Sequence, residues 1–122
     1  QEGQTWEAIM TMSFYRLDNI KIVVDANGQQ VDGRTDEVMA LRDLEAKFEA
    51  FGANTTTIDG HDLKGLHQAF AQPHSDKPLV VIANTEPYRG ISLLKDRYPN
   101  LHYVRFKSDE EREIYAKALD NM

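Results

Sequence analysis

The residues best suited to chemistry lie in a short polar stretch that follows a predicted strand. The β-branched run Ile20–Val24 predicts a strand buried on both faces of a sheet. Asp25, Asn27 and Gln29 come next, and Gly28 among them is typical of a strand end. Ligands of open α/β sheets bind just beyond the carboxyl ends of strands. Because amide, carboxylate and carbonyl oxygens suit a hard cation that carries a phosphate, the stretch predicts half of a diphosphate–metal site.

Two residues of this stretch have simpler interpretations. An Asn before a Gly often forms a turn, which is the alternative role of Asn27. Asp25 is either an outer partner of a metal site or a turn former at the strand end, and its position favours the turn.

His61 and His67 lack the spacing and the thiolate neighbours of a zinc site. Arg97 could contact a sugar phosphate, although isolated surface arginines are commoner than phosphate clamps.

Composition narrows the class of protein. A chain of 122 residues suffices for one domain with a modest core. The net charge of −6 argues against a nucleic-acid partner, because phosphate binding needs clustered Lys and Arg. The sequence contains no cysteine, which excludes disulfides, thiolate catalysis and Cys-ligated zinc. No apolar run approaches the roughly 20 residues of a membrane span, and no signal peptide is recognisable, so we expect a cytoplasmic protein without a membrane partner.

Helical and extended patterns alternate along the first two thirds of the chain. This order predicts an α/β fold with a parallel sheet flanked by helices. The predicted helices span residues 4–17, 41–51 and 63–71, with Asp62 as N-cap of the last, and the predicted strands span 20–24, 55–58 and 78–83. Gly52 should end the second helix. In the third helix we expect Leu63, Leu66 and Phe70 to face the core.

The pattern weakens after Asn84. We predict a short helix over residues 91–98, a strand or extended tail over 101–106, and a last helix from 108 to about 121. Ser108 and Glu111 form a capping box for that helix, with Ile114, Ala118 and Leu119 on its apolar face. Residues 1–122 are interpreted as a single domain with 85–122 as a C-terminal extension, and the family resemblance given below implies that this domain is a partial one.

The first predicted helix is apolar on two sides. Trp6, Ile9 and Met10 share one face, while Met12 and Phe14 make another side apolar. Such a helix is either central to a core or packed against a partner.

Several motifs, in order, resemble the transketolase family. They are Gln1-Glu2-Gly3-Gln4-Thr5-Trp6-Glu7-Ala8, Leu17-Asp18-Asn19-Ile20, Val24 to Gly33 (VDANGQQVDG), Phe48-Glu49-Ala50-Phe51-Gly52 and Ile58-Asp59-Gly60-His61-Asp62. The resemblance covers residues 1–83 and, more loosely, the remainder. The E1 subunits of 2-oxo acid dehydrogenases share the general motif, but the Leu-Asp-Asn and Val-Asp-Gly segments are more similar to transketolase.

The resemblance implies a set of cofactor residues. Transketolases bind thiamine diphosphate through Mg²⁺ or Ca²⁺, and Asn27 corresponds to the side-chain ligand of the metal and Gln29 to a carbonyl ligand. The family's third protein ligand is the Asp of a Gly-Asp-Gly motif, which we expect before Gln1. Val31 corresponds to an apolar residue near the thiazolium ring. Glu2 corresponds to an interface glutamate near the partner's carboxylates, and His102 lies about one residue from a substrate-channel histidine.

The resemblance also implies an activity and a partner. The expected reaction is the transfer of a two-carbon ketol unit from a ketose to an aldose, both sugar phosphates. The pyrimidine-binding half lies outside this sequence, so we expect a second subunit or domain, in a homo- or hetero-oligomer, and an isolated chain that is inactive. The helix over residues 4–17 matches the family's dimer-interface helix. Two alternatives stay open: a non-catalytic interaction or structural subunit of the same fold, and an E1-type 2-oxo acid dehydrogenase or other thiamine diphosphate enzyme.

Overall fold

A computed structural model describes residues 1–121, which form two compact units. Unit 1 comprises Gln1–Asn27 and Leu41–Thr85, and unit 2 comprises Gly28–Ala40 and residues 86–121. Unit 1 contains α1 (Gly3–Phe14), β1 (Lys21–Ala26), α3 (Leu44–Ala50), β4 (Asn54–Asp59), α4 (Leu63–Ala71) and β5 (Leu79–Asn84). Unit 2 contains β2 (Gln29–Gln30), β3 (Gly33–Arg34), α2 (Thr35–Val38), a 3₁₀ helix (Ser92–Arg97) and α5 (Asp109–Asp120).

Unit 1 is built on a parallel three-stranded sheet in the order β1-β5-β4. At the level of Val80 in β5, the neighbours are Ile22 of β1 and Thr55 of β4. β5 is the central strand, and its residues 79–83 are all buried. A continuous apolar run suits such a strand, because it has a neighbour on each edge and helices over both faces. The predicted α/β fold, with a parallel sheet flanked by helices, is confirmed.

The two faces of β5 enter two separate cores, since consecutive strand residues point to opposite sides of a sheet. On one face, Val80 and Ile82 pack with Ile9 of α1 and Phe48 of α3. The indole of Trp6 lies over the same core, with its ring centroid 5.0 Å from that of Phe48. The residues of the other core are Ala69, Leu79 and Val81, with Ile58, Leu66 and Phe70 packed against them.

The prediction that the first strand is buried on both faces is wrong. In β1, exposed residues alternate with half-buried ones, and Val23 is 52% exposed. Ile22 and Val24 pack against the α1–α3 core, but no helix of the described residues covers the opposite face at Val23. β1 is also an edge strand among these residues, because only β5 pairs with it.

Local backbone geometry ends both helices of the first core. α1 stops at Phe14, three residues before the predicted end, because Arg16 adopts a left-handed conformation with φ +53°. The N–H of Leu17 then donates to the carbonyl of Met12 at 2.9 Å, as in a Schellman motif. Gly52, with φ +93°, ends α3 in the same way, as predicted.

Some predicted core residues are exposed. Leu63 is 80% exposed, so its predicted inward position is wrong. Leu63 is the first residue of α4, and the core contacts of this helix come from its later turns, through Leu66 and Phe70. In α1, Met10 is 54% and Phe14 78% exposed, so only one side of this helix is covered within unit 1.

Unit 2 begins with a hairpin of β2 and β3, in a part of the chain for which no strand was predicted. Ser108 caps α5 by accepting a hydrogen bond from the Glu111 N–H at 3.2 Å, as the capping box predicts. The Glu111 carboxylate accepts from the Lys107 N–H, however, and not from that of Ser108. Of the two alternatives predicted for residues 101–106, a strand or an extended tail, these residues do not form the strand.

The apolar face predicted for α5 is only partly buried. Ile114 is 52% and Leu119 71% exposed, whereas Tyr115 is half-buried. The Tyr115 ring packs against Phe106, and its hydroxyl donates to the Leu93 carbonyl at 3.2 Å. Within residues 1–121, no helix has both the length and the apolar character that crossing a membrane requires.

Candidate functional site

The carboxyl edge of the unit 1 sheet gathers polar residues from all three strands. The register aligns Ala26 of β1 with Asn84 of β5, and Asn84 with Asp59 of β4. The strands therefore end level with one another, and the residues that follow them meet at one edge. The Gly60 N–H donates to the Asn84 carbonyl at 2.7 Å, and the Thr85 N–H donates to the Ala26 carbonyl at 3.4 Å.

Asp25 is the centre of a hydrogen-bonded group at this edge. Its Oδ1 accepts from the Thr85 hydroxyl at 2.5 Å, and its Oδ2 accepts from Nδ2 of Asn27 at 3.1 Å. The carboxylate thus joins the end of β1 to the residue after β5, 60 positions away in sequence. The Asp25 carboxylate therefore does more than form a local turn, and its role as an outer partner of a metal site stays a prediction.

Asn27 is half-buried and is the last residue of the first of the two segments that form unit 1. Because its Nδ2 donates to Asp25, the amide group has a defined orientation, and Oδ1 lies at the other end of the amide. An amide oxygen is a hard, neutral ligand of the kind that Mg²⁺ and Ca²⁺ accept. The orientation of Asn27 is therefore compatible with the predicted ligand role.

Gly28, the next residue, has a conformation that other residues adopt only under strain. Its φ is +71°, and a Cβ added there would lie 2.9 Å from the Tyr98 hydroxyl. The Gly28 carbonyl accepts from that hydroxyl at 3.3 Å and from the Thr35 N–H at 3.0 Å. These two donors hold the backbone that leads to Gln29, whose own carbonyl is the predicted metal ligand.

Gln29 and Val31 lie in the hairpin of unit 2. Gln29 is half-buried in β2 and pairs with Arg34 of β3. Val31 is in the two-residue turn between the strands and is 54% exposed, so an apolar side chain is presented at the surface of the unit. An exposed apolar turn residue is compatible with the predicted contact with a thiazolium ring.

The two predicted ligands are of the chemical kind that a cation shared with a diphosphate accepts. The Asn27 amide and the Gln29 carbonyl supply two hard oxygens and no charge. Within residues 1–121, no group of three or more His, Asp or Glu side chains could hold a metal by itself.

The two predicted catalytic residues make only local contacts. Glu2 is exposed at the start of α1, and its carboxylate accepts from Nε2 of Gln4 at 2.7 Å. His102 is exposed in unit 2 and packs edge-on against Tyr103, with ring centroids 4.6 Å apart. The roles predicted for them, toward a partner's carboxylates and a substrate, stay predictions.

Arg97 forms an ion pair with Glu111. Its guanidinium bonds the Glu111 carboxylate and donates to the Arg105 carbonyl at 3.0 Å. The Lys107 N–H, and then Arg97, lower the pKa of Glu111. The same pair raises the pKa of Arg97. These contacts hold α5 within unit 2, so the structural role of Arg97 is favoured over a phosphate clamp.

Thr85 lies at this edge although the sequence pattern did not single it out, and Gly60, which the sequence marked only as part of a family motif, packs against it. A Cβ on Gly60 would lie 2.4 Å from Cγ2 of Thr85 and 3.0 Å from the Asn84 carbonyl oxygen. The turn after β4 therefore packs tightly on Thr85 only because residue 60 has no side chain. The available signal was positional: each residue directly follows a strand of a parallel sheet.

A parallel sheet flanked by helices, with its polar residues at the carboxyl edge, defines a domain of the α/β cofactor-binding class. Residues 1–113 match the model of the family described as "Transketolase, thiamine diphosphate binding domain". The chain belongs to this family, as its sequence motifs predicted.

Three relatives illustrate the membership. The chain is 38% identical over 115 residues to an uncharacterized transketolase family protein of Sinorhizobium fredii, covering 92% of this chain and 41% of that protein. It is 39% identical over 111 residues to one subunit of the apulose-4-phosphate transketolase of Actinobacillus succinogenes, covering 89% and 40%. The crystal structure of the Campylobacter jejuni transketolase matches with a TM-score of 0.65 and 31% identity, over 70% of this chain and 13% of that one. The chain thus spans about two fifths of the first two relatives.

Proposed function

We propose that this chain supplies the diphosphate and metal ligands of a transketolase-like enzyme. The reaction is the transfer of a two-carbon ketol unit from a ketose phosphate to an aldose phosphate. The observation that carries the proposal is the orientation of Asn27, whose amide nitrogen is held by Asp25 at the carboxyl edge of the sheet. Membership of the thiamine diphosphate-binding family supports it.

The residues of this chain would bind and orient the cofactor. The Asn27 side chain and the Gln29 carbonyl would hold Mg²⁺ or Ca²⁺, and the cation would hold the diphosphate. Val31 would provide apolar contact to the thiazolium ring. When bound, thiamine diphosphate supplies the carbon nucleophile that the protein itself lacks. Glu2 would position the carboxylates of a partner, and His102 would contact the substrate.

The proposal requires a second polypeptide or domain. The Actinobacillus succinogenes relative is named as one subunit of a transketolase, which supports an assembly of separate polypeptides. We propose that the partner carries the pyrimidine-binding half and that α1 takes part in a homo- or hetero-oligomeric interface. The exposed side chains of Met10 and Phe14 on α1 support this placement. In this proposal, residues 1–122 form part of one diphosphate-binding domain of a cytoplasmic enzyme.

The test is cofactor binding by the full-length protein together with its partner half. We expect isothermal titration calorimetry with thiamine diphosphate and MgCl₂ to show binding, and we expect Asn27→Ala to weaken it by about 10- to 100-fold. Asn19→Ala is the matched control, because Asn19 is exposed in the turn before β1 and should leave the affinity unchanged.

Two results would contradict parts of the proposal. Equal affinities of the wild-type and Asn27→Ala proteins would remove Asn27 as a metal ligand. No binding by the wild-type assembly would favour the alternative of a non-catalytic subunit. If the cofactor binds, turnover of a 2-oxo acid and not of a ketose phosphate would favour the E1-type alternative.

A further inference from the structure

The side-chain amide of the predicted ligand Asn27 is oriented by a neighbouring residue. An Asn amide has a donor end and an acceptor end of nearly equal size, so rotation by 180° about its last bond exchanges them. Only the acceptor end can bind a cation. Asp25 resolves this ambiguity, because a carboxylate only accepts hydrogen bonds and so selects the NH₂ end of Asn27, at 3.1 Å.

Asp25 is in turn held by a residue from the neighbouring strand. Asp25 is exposed, and the Thr85 hydroxyl donates to its Oδ1 at 2.5 Å. Thr85 is itself held by its N–H, which donates to the carbonyl of Ala26. Its β-branched side chain has few accessible rotamers. The carboxylate therefore has one oxygen for each of two partners, Thr85 and Asn27.

The rotamer of Thr85 is set by close packing. Its Cγ2 occupies the space beside Gly60, where an added Cβ would approach to 2.4 Å. The methyl group thus rests on the turn that follows β4, while the hydroxyl points to Asp25. These contacts connect the turn after β4 with the ends of β5 and β1. They join Gly60 to Thr85, Thr85 to Asp25 and Asp25 to Asn27, and all four residues lie within unit 1.

We propose that Thr85 and Asp25 are positioning residues that orient the amide oxygen of Asn27 toward the bound cation. The inference rests on the proposed function, since it assigns a purpose to the Asn27 orientation. Ligands of protein-bound metals are commonly held by such outer partners, and the loss of one typically costs 10- to 100-fold in affinity. Thr85 acts on the metal only through Asp25 and Asn27.

Thr85→Val is the decisive variant, because it removes the hydroxyl and keeps both the shape of the side chain and the charge of Asp25. We expect the affinity of the full-length assembly for thiamine diphosphate with MgCl₂ to fall by about 3- to 30-fold. Thr85→Ser retains the hydroxyl but loses the methyl group that sets its rotamer, so its affinity should lie between those of the wild type and Thr85→Val. Thr57→Val is the matched control, because Thr57 is exposed on β4. Asp25→Asn should weaken binding at least as much as Thr85→Val.

A double-mutant cycle separates positioning from a general structural effect. If Thr85 acts through Asn27, then Thr85→Val should change the affinity by less than about twofold in an Asn27→Ala background. A second readout needs no cofactor: Thr85→Val should shift the NMR signal of the Asn27 side-chain amide in the metal-free protein, and Thr57→Val should not.

The outcomes distinguish this inference from the proposed function. Wild-type affinity in Thr85→Val, alongside weakened binding in Asn27→Ala, overturns the positioning role and leaves Asn27 as a ligand. Multiplicative effects of Thr85→Val and Asn27→Ala also overturn it, because they show independent action. Binding that is unaffected by Asn27→Ala overturns the ligand assignment on which the inference rests.

Discussion

Gly60→Ala tests the tight packing at the carboxyl edge of the sheet. The added Cβ would lie 2.4 Å from Cγ2 of Thr85, 3.0 Å from the Asn84 carbonyl oxygen and 3.1 Å from Cβ of Ala83. Carbon atoms in contact prefer a separation of at least roughly 3.5 Å, so the Thr85 methyl would have to move by about 1.1 Å. Two of the three neighbours belong to the buried central strand or its backbone, which limits the space for relaxation.

The protein can relieve this clash in two ways, and each has a cost. If the backbone of the turn after β4 shifts, the cost is that of overpacking, about 1–3 kcal/mol. If Thr85 rotates, its hydroxyl leaves Asp25, and a hydrogen bond to a charged group contributes about 1.5–3 kcal/mol. We therefore expect Gly60→Ala to lower the free energy of unfolding by about 1–3 kcal/mol.

Urea unfolding with matched variants measures this effect. Gly3→Ala is the control, because a Cβ at Gly3 meets nothing within 4 Å and the residue starts α1, where Ala should leave the stability equal or slightly higher. Thr85→Ser removes the clashing methyl and keeps the hydroxyl, so the Gly60→Ala/Thr85→Ser protein should recover part of the loss. Wild-type stability of Gly60→Ala, or no recovery in the double variant, would refute the packing argument.

Two further predictions concern the core of unit 1 and the ion pair of unit 2. Val81→Ala should lower the free energy of unfolding in urea by about 2–3 kcal/mol, because Val81 is fully buried. Val23→Ala, at the paired position of β1, should lower it by well under about 1 kcal/mol. Similar losses in the two variants would disprove the exposure of Val23. Because its folded pKa is lowered, Glu111 stabilises unit 2 above the pKa of the unfolded carboxyl, about 4.3, and this contribution disappears as the pH falls through the folded pKa. Glu111→Gln should therefore lower the urea midpoint at pH 7 and reduce the loss of that midpoint as the pH falls below about 4.3. An acid dependence unchanged from the wild type, equal to that of the exposed control Glu113→Gln, would contradict this role.

Sequence patterns were sufficient for the local features of this chain. Apolar periodicity identified α1, α3, α4 and α5 and the three strands of the sheet, though not α2, and Gly52 and Ser108 marked helix ends that the structure confirms. These features depend on residues within one or two turns of each other, so their physical causes are present in short segments. Several motifs taken together, the one around Asn27 among them, also predicted the family membership, which the match over residues 1–113 shows.

Strand order and long-range contacts depended on the three-dimensional arrangement. Val23 and Val81 are both β-branched residues in apolar runs, yet one is half exposed and the other buried, because β5 lies between two strands and β1 has one neighbour among residues 1–121. The hydrogen bond between Thr85 and Asp25 joins residues 60 positions apart. Parallel register brings them together, and no local pattern encodes register between distant strands. The Asn27 motif is readable from the chain alone, but the residues that orient its amide become visible only when β1, β4 and β5 are aligned.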